Sequence, residues 1–192
     1  MAEQLRMIRT LDNIPEVKMP EGFFSRNYRP EDKEVWLEIC KCGLLGKDAG
    51  LDAWDQTMLA QKTLVPERDV HFICTAEGKP VATYAAYILD NGVANAHMVA
   101  AKEEARGHGL GKVMMNCIMA MMKEQMPGEG RLLGLRTDDW RTPAVVAYLK
   151  AGFHPVLYSE GMKERWQTVC DQIDFHGVEM WTLEGEPTGI IL

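Results

Sequence analysis

The amino-acid sequence predicts an α/β fold in which helices flank one central, mixed and mostly antiparallel sheet of about six or seven strands. Three short apolar segments separated by tight-turn sequences indicate an antiparallel meander at residues 70–76, 81–89 and 93–100. Apolar residues then recur with helical spacing over residues 110–126, and a further strand is predicted at 131–136. Because a helix connects them, the last meander strand and this further strand are expected to be parallel.

Mixed charge and two prolines characterise residues 1–21, which we expect to form an N-terminal arm or an added edge strand. No internal repeat or low-complexity segment interrupts the remaining chain, so residues 22–192 are expected to form a single domain. The other expected elements are strands at 23–28 and 155–158, helices at 30–42, 51–64 and 161–175, and an irregular segment or edge strand at 179–192.

The most informative stretch reads Arg-Gly-His-Gly-Leu-Gly-Lys and covers residues 106–112, between the last meander strand and the long helix. Its glycines let the backbone approach a ligand closely and leave the N–H groups at the helix start unshielded. A helix start carries roughly half a positive charge and several unpaired N–H donors, so it attracts phosphate. Arg106 adds a guanidinium that can bind phosphate through two hydrogen bonds. The stretch therefore predicts a phosphate-binding turn.

Two common phosphate-binding loops do not match this stretch. The NTPase loop needs Gly-x4-Gly-Lys-Ser/Thr, whereas the interval from Gly107 to Gly111 is one residue too short and Val113 replaces the magnesium-binding hydroxyl. The dinucleotide fingerprint needs Gly-x-Gly-x-x-Gly, and this chain has Gly-x-Gly-x-Gly. A third pattern, Arg/Gln-x-x-Gly-x-Gly/Ala, is matched by Arg106, Gly109 and Gly111.

A second stretch, at residues 137–153, predicts a short helix. Thr142 and Pro143 are typical of a helix start with a capping hydroxyl, and Gly152 is typical of a helix stop. Together with the loop pattern, this stretch resembles the GNAT acyltransferase superfamily, whose corresponding helix carries Asn-x-x-Ala-x-x-x-Tyr-x-x-x-Gly-Phe. The matching residues are Ala144, Tyr148, Gly152 and Phe153, while Arg141 stands where the family often has asparagine. The resemblance covers about residues 22–160.

The resemblance implies a binding site for coenzyme A, with acetyl-CoA as the co-substrate and no metal. In the family, the glycine loop binds the pyrophosphate, the two parallel strands splay apart, and the strand before the loop bulges. The backbone of that bulge, here at about residues 97–99, binds the thioester and the pantetheine arm. The cofactor-binding residues that the resemblance implies are Met98, Val99, Arg106, Gly107, His108, Gly109, Leu110, Gly111 and Lys112.

The catalytic residues are expected on the same basis. The resemblance implies that Tyr148 is the general acid for the departing thiolate, and a phenol titrates at about pH 10 against about 8.5 for a thiol. His97 is a candidate general base for the amine, because imidazole titrates near neutral pH. Glu103, Glu104 and a water chain to a distant carboxylate are the alternatives. No motif indicates a nucleophilic serine or cysteine, so we expect direct transfer in a ternary complex.

We therefore expect an acetyl-CoA-dependent N-acetyltransferase that acts on a primary amine of a small-molecule or peptide acceptor. Acceptor specificity is expected to reside at residues 37–64 and 158–181. A non-catalytic sensor or regulatory module that binds acyl-CoA would keep the same loop but would not need Tyr148 or a base. An NTPase is the third possibility, and the loop spacing argues against it.

Composition and residue spacing limit the classes of protein to which the chain can belong. The chain has 192 residues, 46% of them apolar, and a formal net charge of −7, which argues against a dedicated nucleic-acid-binding surface. The five cysteines show no disulfide framework and no signal-peptide pattern is visible, so we expect a cytoplasmic protein with reduced thiols. No zinc-ligand spacing and no membrane-spanning apolar stretch are present.

The methionines of residues 110–126 are expected in the core, with a homodimer contact as the alternative.

Overall fold

A computed structural model describes residues 3–191 of the chain. Its strands are β1 (Leu5–Thr10), β2 (Phe23–Asn27), β3 (Val70–Thr75), β4 (Pro80–Ile88), β5 (Ala94–Ala101), β6 (Leu132–Thr137), β7 (His154–Pro155), β8 (Val178–Trp181) and β9 (Pro187–Ile191). Its α-helices are α1 (Lys33–Cys40), α2 (Asp52–Trp54), α3 (Pro66–Asp69), α4 (Leu110–Gln125), α5 (Thr142–Lys150) and α6 (Met162–Gln172). Single 3-10 turns at Pro30–Asp32 and Glu103–Ala105 precede α1 and α4, and a π-helix at Asp55–Leu59 continues α2.

The neighbouring strands follow the order β2-β3-β4-β5 among residues 13–127 and the order β6-β1-β7 among the other described residues, where β8 and β9 form a separate two-stranded sheet. This confirms the predicted class, an α/β fold with a mixed, mostly antiparallel sheet flanked by helices. The chain is divided into two compact units. Residues 13–127 form one unit, and residues up to 12 together with those from 128 onward form the other.

In the 13–127 unit, β2, β3, β4 and β5 pair antiparallel in the order of the chain, so the meander predicted from the tight turns is confirmed. An aromatic cluster packs beside this sheet. The rings of Tyr28 and Trp54 stack with centroids 4.7 Å apart, and the ring of Trp36 meets Trp54 edge-on at 5.0 Å. These side chains are buried together with Phe72 of β3, and their burial holds α1 and α2 against the strands.

Helix α4 buries both of its methionine stripes. Met114 and Met122 of the main stripe are buried, and so are Met115 and Met119 of the second stripe. The expectation that these methionines fill the core is confirmed, and the second stripe offers no exposed surface to a partner chain. Among residues 3–191, no helix is both long enough and apolar enough to cross a lipid bilayer.

The other unit contains β1, which pairs antiparallel with β6 along its length and with β7 on its other side. Residues 5–10 were expected in an arm or an edge strand, whereas here they occupy an interior position between two strands. Apolar side chains of this strand, Leu5 and Met7 among them, are buried in the structure. An arm in solvent would leave them in contact with water, so burial favours the interior position. The tail forms a hairpin of β8 and β9, where the sequence had predicted an irregular segment or one edge strand.

Two predicted elements are shorter than expected. The helix predicted over residues 51–64 consists of α2 and the π-helix and ends at Leu59, because the Thr57 hydroxyl donates to the carbonyl oxygen of Ala53 and competes with regular helix bonding. The strand predicted over residues 155–158 is reduced to β7.

Candidate functional site

The predicted phosphate-binding turn is a left-handed bend that leads directly into α4. Gly107 and Gly109 have φ values of 84° and 71°, which favour glycine because a Cβ would clash with the backbone there. Gly109 is the N-cap residue, and no side chain caps the helix. The start of α4 at Leu110 is confirmed, and the buried Leu110 side chain anchors the bend to the core.

The amide N–H groups of residues 107–111 find no acceptor anywhere in the described part of the chain. A Cβ built on Gly107, Gly109 or Gly111 would meet no protein atom within 4 Å. The 16 residues of α4 add the positive end of the helix dipole at the same place. Successive unpaired donors on an open backbone surface can bind the oxygens of a phosphate or diphosphate, so the residues present fit such a group.

Cations flank this turn. The Arg106 side chain is 64% exposed and its Nη1 lies 3.4 Å from Oε1 of Glu103, so it is tethered loosely and can turn to an incoming anion. Lys112 is exposed on the first turn of α4. The ring of His108 lies against Phe23 with centroids 5.1 Å apart, which holds the turn near the start of β2. The loop therefore combines fixed backbone donors with mobile positive charge.

Strand β5 bulges where the resemblance had placed a bulge. Thr83 pairs with Ala100 and Ala85 pairs with His97, so two residues of β5, Met98 and Val99, stand opposite one residue of β4. Met98 has a φ of 48°, a conformation that is rare for a residue with a side chain. A bulge removes the extra residue from the regular ladder and turns its peptide groups to a new direction. This strand can thus present main-chain donors that a regular strand would use internally.

The His97 ring contacts the π-helix Asp55–Leu59 through one of its nitrogens. Its Nε2 lies 3.0 Å from the carbonyl oxygen of Thr57, and its ring meets the ring of Tyr87 edge-on at 5.7 Å. Because a carbonyl oxygen only accepts, this nitrogen carries the hydrogen in the neutral ring. The nitrogen that can take a proton in that form is Nδ1.

The two carboxylates that were alternative bases are bound to cations. Glu103 lies beside Arg106, and Glu104 Oε1 lies 2.9 Å from Nζ of Lys79. The hydrogen bond and the positive charge of Lys79 lower the pKa of Glu104. A carboxylate with a lowered pKa is a weaker base, so these observations favour His97 over Glu104.

Tyr148 lies near the end of α5 in the second unit. Burial raises the pKa of its phenol, and the positive charge of Arg141 offsets part of that effect. A raised pKa keeps the hydroxyl protonated at neutral pH, as a general acid requires. Two local expectations are corrected here: Thr142 is the first residue of α5 rather than its cap, and the N-cap position is taken by Arg141 without a side-chain hydrogen bond.

Arg141 occupies the position where the GNAT motif often has asparagine. Its side chain contacts neighbouring residues of the segment that precedes α5. Its Nε donates to Oδ2 of Asp138 at 2.9 Å, and its guanidinium lies over the ring of Trp140 at 4.4 Å. Trp140 is 70% exposed, the largest exposed fraction among the large apolar side chains of the described residues. Residues 3–191 hold no group of three or more histidine, cysteine or carboxylate side chains placed to bind a metal ion.

The contact between Thr57 and His97 was not predicted from the sequence, because Thr57 contributes a backbone carbonyl. Any residue type supplies a carbonyl, so the only sequence signal was the threonine itself, whose hydroxyl disturbs helical bonding. The carbonyl of Thr57, within the π-helix, meets His97, which is 40 positions away in the chain. Sequence patterns of helical period do not report such contacts.

Comparison with known proteins agrees with this geometry. The family model for the acetyltransferase (GNAT) family matches residues 34–153, which is more than half of the chain. A GCN5-related N-acetyltransferase from Sphaerobacter thermophilus superposes with a TM-score of 0.62 at 20% identity, covering 79% of this chain and 48% of that one. No match was found among curated proteins.

Two further solved structures show the same fold. A GCN5-related N-acetyltransferase from Kribbella flavida has a TM-score of 0.54 at 20% identity, covering 80% of this chain and 55% of that one. A tandem GNAT protein from the clavulanic acid biosynthesis pathway has a TM-score of 0.58 at 15% identity, covering 79% of this chain and 50% of that one. The chain thus spans about half the length of each of these three solved structures.

Proposed function

Because the chain belongs to the GNAT acetyltransferase family, we propose that it transfers an acetyl group from acetyl-CoA to a primary amine. The single observation that carries the coenzyme assignment is the row of unpaired N–H groups at residues 107–111 at the start of α4. A diphosphate is the part of coenzyme A that such a row suits best. The proposal extends to the cofactor-binding residues expected from the sequence, from Arg106 to Lys112 on the loop and Met98 and Val99 on β5.

Acetyl-CoA supplies an activated acetyl thioester. The glycine turn orients that molecule by binding its diphosphate, and Arg106 contributes a second, mobile positive charge. The main chain at Met98 and Val99, which the bulge turns out of the ladder with β4, donates to the thioester carbonyl oxygen and polarises it. Backbone donors suit this role because their positions are set by the sheet before the substrate binds.

His97 and Tyr148 move the protons. The amine nitrogen forms a bond to the acetyl carbon while the carbon–sulfur bond breaks, and no enzyme-bound acyl group is formed. His97 takes the proton that the amine loses, at Nδ1. The Tyr148 hydroxyl donates a proton to the departing sulfur, and its raised pKa keeps it in the protonated form at neutral pH. The products are the N-acetylated amine and the free thiol of coenzyme A.

The test has two stages. Calorimetry with acetyl-CoA measures binding, and we expect a dissociation constant in the micromolar range that is typical of such co-substrates. A free-thiol release assay over a panel of polyamines, aminoglycosides, amino acids and peptide N-termini then identifies the acceptor. Tight binding with no thiol release for any amine would favour the non-catalytic acyl-CoA sensor, and no binding would contradict both functions.

The remaining expectations belong to the same proposal. We propose a small-molecule or peptide amine as the partner and no nucleic acid. The methionine surface that allowed a homodimer in the sequence is buried, so a homodimer would need another face, and light scattering measures the assembly. All five cysteines are unbridged, and we propose a cytoplasmic location, to be checked by fractionation of the producing cells.

A further inference from the structure

The carbonyl oxygen of Thr57 lacks its normal helical partner. In an α-helix it would accept from the backbone N–H of Gln61, but that N–H donates to the carbonyl oxygen of Met58 at 3.1 Å. The preceding turn is wide, with the N–H of Ala60 donating to the carbonyl oxygen of Asp55 at 3.0 Å. π-helical turns of this kind occur frequently at functional sites, and the carbonyls that they release need other donors.

Two side chains supply those donors. The Nε2 of His97 lies 3.0 Å from the Thr57 oxygen, and Nε2 of Gln61 lies 3.1 Å from it. The other end of the Gln61 amide, Oε1, accepts from the Tyr87 hydroxyl at 2.7 Å. Tyr87 in turn presents its ring edge-on to His97. The four groups therefore form one connected network within the 13–127 unit.

Chemistry fixes the direction of every hydrogen in this network. A carbonyl oxygen has no hydrogen, so both Gln61 and His97 donate to Thr57. Because the Gln61 nitrogen faces Thr57, its oxygen faces Tyr87, and the Tyr87 hydroxyl must be the donor of that bond. The imidazole can carry its hydrogen on either ring nitrogen, and its contact with the Thr57 carbonyl oxygen favours the form with hydrogen on Nε2.

We propose that the π-helix Asp55–Leu59, with Gln61 and Tyr87, positions His97 and holds its neutral ring in the Nε2–H form, so that Nδ1 takes the amine proton. The base role of His97 rests on the proposed function, whereas the selection of the Nε2–H form does not. Thr57, Gln61 and Tyr87 are positioning residues. When His97 becomes an imidazolium, its bond to the Thr57 carbonyl becomes charge-assisted and about twice as strong, so the same contact also stabilises the protonated base.

A purely structural reading is that His97 only provides a hydrogen-bond donor for the Thr57 carbonyl within the π-helix. The variant His97→Gln distinguishes the two interpretations. The glutamine amide can place an N–H near the position of Nε2, but it has no basic nitrogen. If the histidine were structural, this variant would keep both stability and thiol release. Under our proposal it keeps its stability in urea unfolding but loses about a hundredfold in kcat, because general base catalysis contributes typically 10²–10⁴-fold.

The protonation form is measured directly by long-range ¹H–¹⁵N NMR of the full chain labelled at histidine, with His97→Gln identifying the His97 signals. We expect one neutral form, with the hydrogen on Nε2. A signal from the Nδ1–H form, or an average of both forms, overturns the positioning proposal, whether or not an acceptor amine has been found. The Nε2–H form together with full activity of His97→Gln would instead remove His97 from the proposed catalytic mechanism.

Gln61→Leu tests the supporting network, with Gln125→Leu as the control. Gln125 ends α4 in the same unit, lies outside the segments expected to bind the cofactor or the acceptor, and places its Nε2 3.5 Å from Oδ1 of Asp69. We expect Gln61→Leu to lower kcat about fivefold without changing the KM for acetyl-CoA, and to give His97 signals of mixed protonation form. Gln125→Leu should leave kcat and the NMR signals unchanged. Identical behaviour of the two variants would overturn the role of Gln61.

Discussion

The backbone N–H of Phe153 donates to the carbonyl oxygen of Tyr148 at 3.0 Å, and the two rings meet at an angle with centroids 6.1 Å apart. Gly152 lies between α5 and Phe153 with a φ of 80°, and its N–H donates to the carbonyl oxygen of Leu149. This pair of bonds is the Schellman motif that ends many helices. The Tyr-x-x-x-Gly-Phe spacing is therefore explained by helix termination, and the cap that ends α5 also contacts the ring of Tyr148.

This cap makes Tyr148→Phe a clean test, because the ring contact with Phe153 survives the loss of the hydroxyl. We expect kcat for acetyl transfer to fall about tenfold to a hundredfold while the KM for acetyl-CoA stays unchanged, as removal of a general acid predicts. Since burial raises the pKa of Tyr148 above its ordinary value, turnover should show no loss from this group between pH 6 and about pH 9. Steady-state thiol release over that range provides the measurement.

Tyr28→Phe is the control for that variant. Tyr28 lies outside the segments expected to bind the cofactor or the acceptor, and its hydroxyl donates to the carbonyl oxygen of Pro30 at 3.4 Å. Loss of this hydroxyl should leave kcat unchanged at every pH. Wild-type turnover by Tyr148→Phe with the identified acceptor would exclude the tyrosine from the mechanism.

Gly109→Val should weaken coenzyme A binding at least tenfold, which corresponds to about 1.4 kcal/mol. Its Cβ would enter the open space beside the unpaired N–H groups, and the left-handed conformation at a φ of 71° adds strain of about 1–2 kcal/mol. Gly78→Val is the matched control, because Gly78 has a φ of 86° and also meets no atom within 4 Å, but lies in the turn between β3 and β4. Calorimetry with coenzyme A and urea unfolding should be run on both.

Both glycine variants should lose similar stability, and only Gly109→Val should lose affinity. Equal affinities of the two variants would show that the turn at residues 107–111 does not bind the diphosphate.

Arg106→Gln should raise the dissociation constant for coenzyme A about fivefold, since it removes one charge-assisted hydrogen bond at an exposed site. The effect should shrink as salt rises, because exposed charges are screened. Lys79→Gln removes a cation of similar exposure that is paired with Glu104, and it should leave the affinity unchanged. A salt titration by calorimetry compares the two, and a larger loss for Lys79→Gln would place the anion elsewhere.

Asp32→Asn should destabilise the 13–127 unit by about 3 kcal/mol, because it breaks a buried ion pair. The Asp32 carboxylate accepts from Arg26 at 2.7 and 2.8 Å and from the backbone N–H of Arg29 at 2.7 Å. Burial alone would raise the pKa of Asp32, but these bonds outweigh it and the pKa is lowered. The stability it contributes is therefore complete above the unfolded-state value of about 3.9 and is lost as the pH falls through the lower folded-state value.

Urea unfolding between pH 2 and pH 7 measures this dependence. Asp32→Asn should flatten the acid limb of the stability curve. Glu16→Gln, which breaks an ion pair whose side chains are 80% and 77% exposed, should change stability by less than about 0.5 kcal/mol. An acid limb that persists unchanged in Asp32→Asn would contradict the lowered pKa.

Local sequence signals predicted most of the fold. The meander, α4 and the helix stop at Gly152 follow from turn residues, helical spacing and the tolerance of glycine for positive φ, all of which act over a few residues. The glycine turn was predictable for the same reason, since its N–H groups are unpaired wherever such a sequence begins a helix. Helix ends and the lengths of irregular segments were predicted less well, as at residues 51–64, because side-chain competition and tertiary contacts decide them.

The sequence by itself determined the strand meander, the glycine turn at the start of α4 and the tyrosine-bearing helix, because each depends on groups that are close neighbours along the chain. Only the tertiary structure decided that β1 lies between two strands, that β5 bulges at Met98, and that His97 meets the Thr57 carbonyl. These three features depend on pairing and packing between distant residues, whose free energies are set by burial and hydrogen-bond satisfaction in the folded chain.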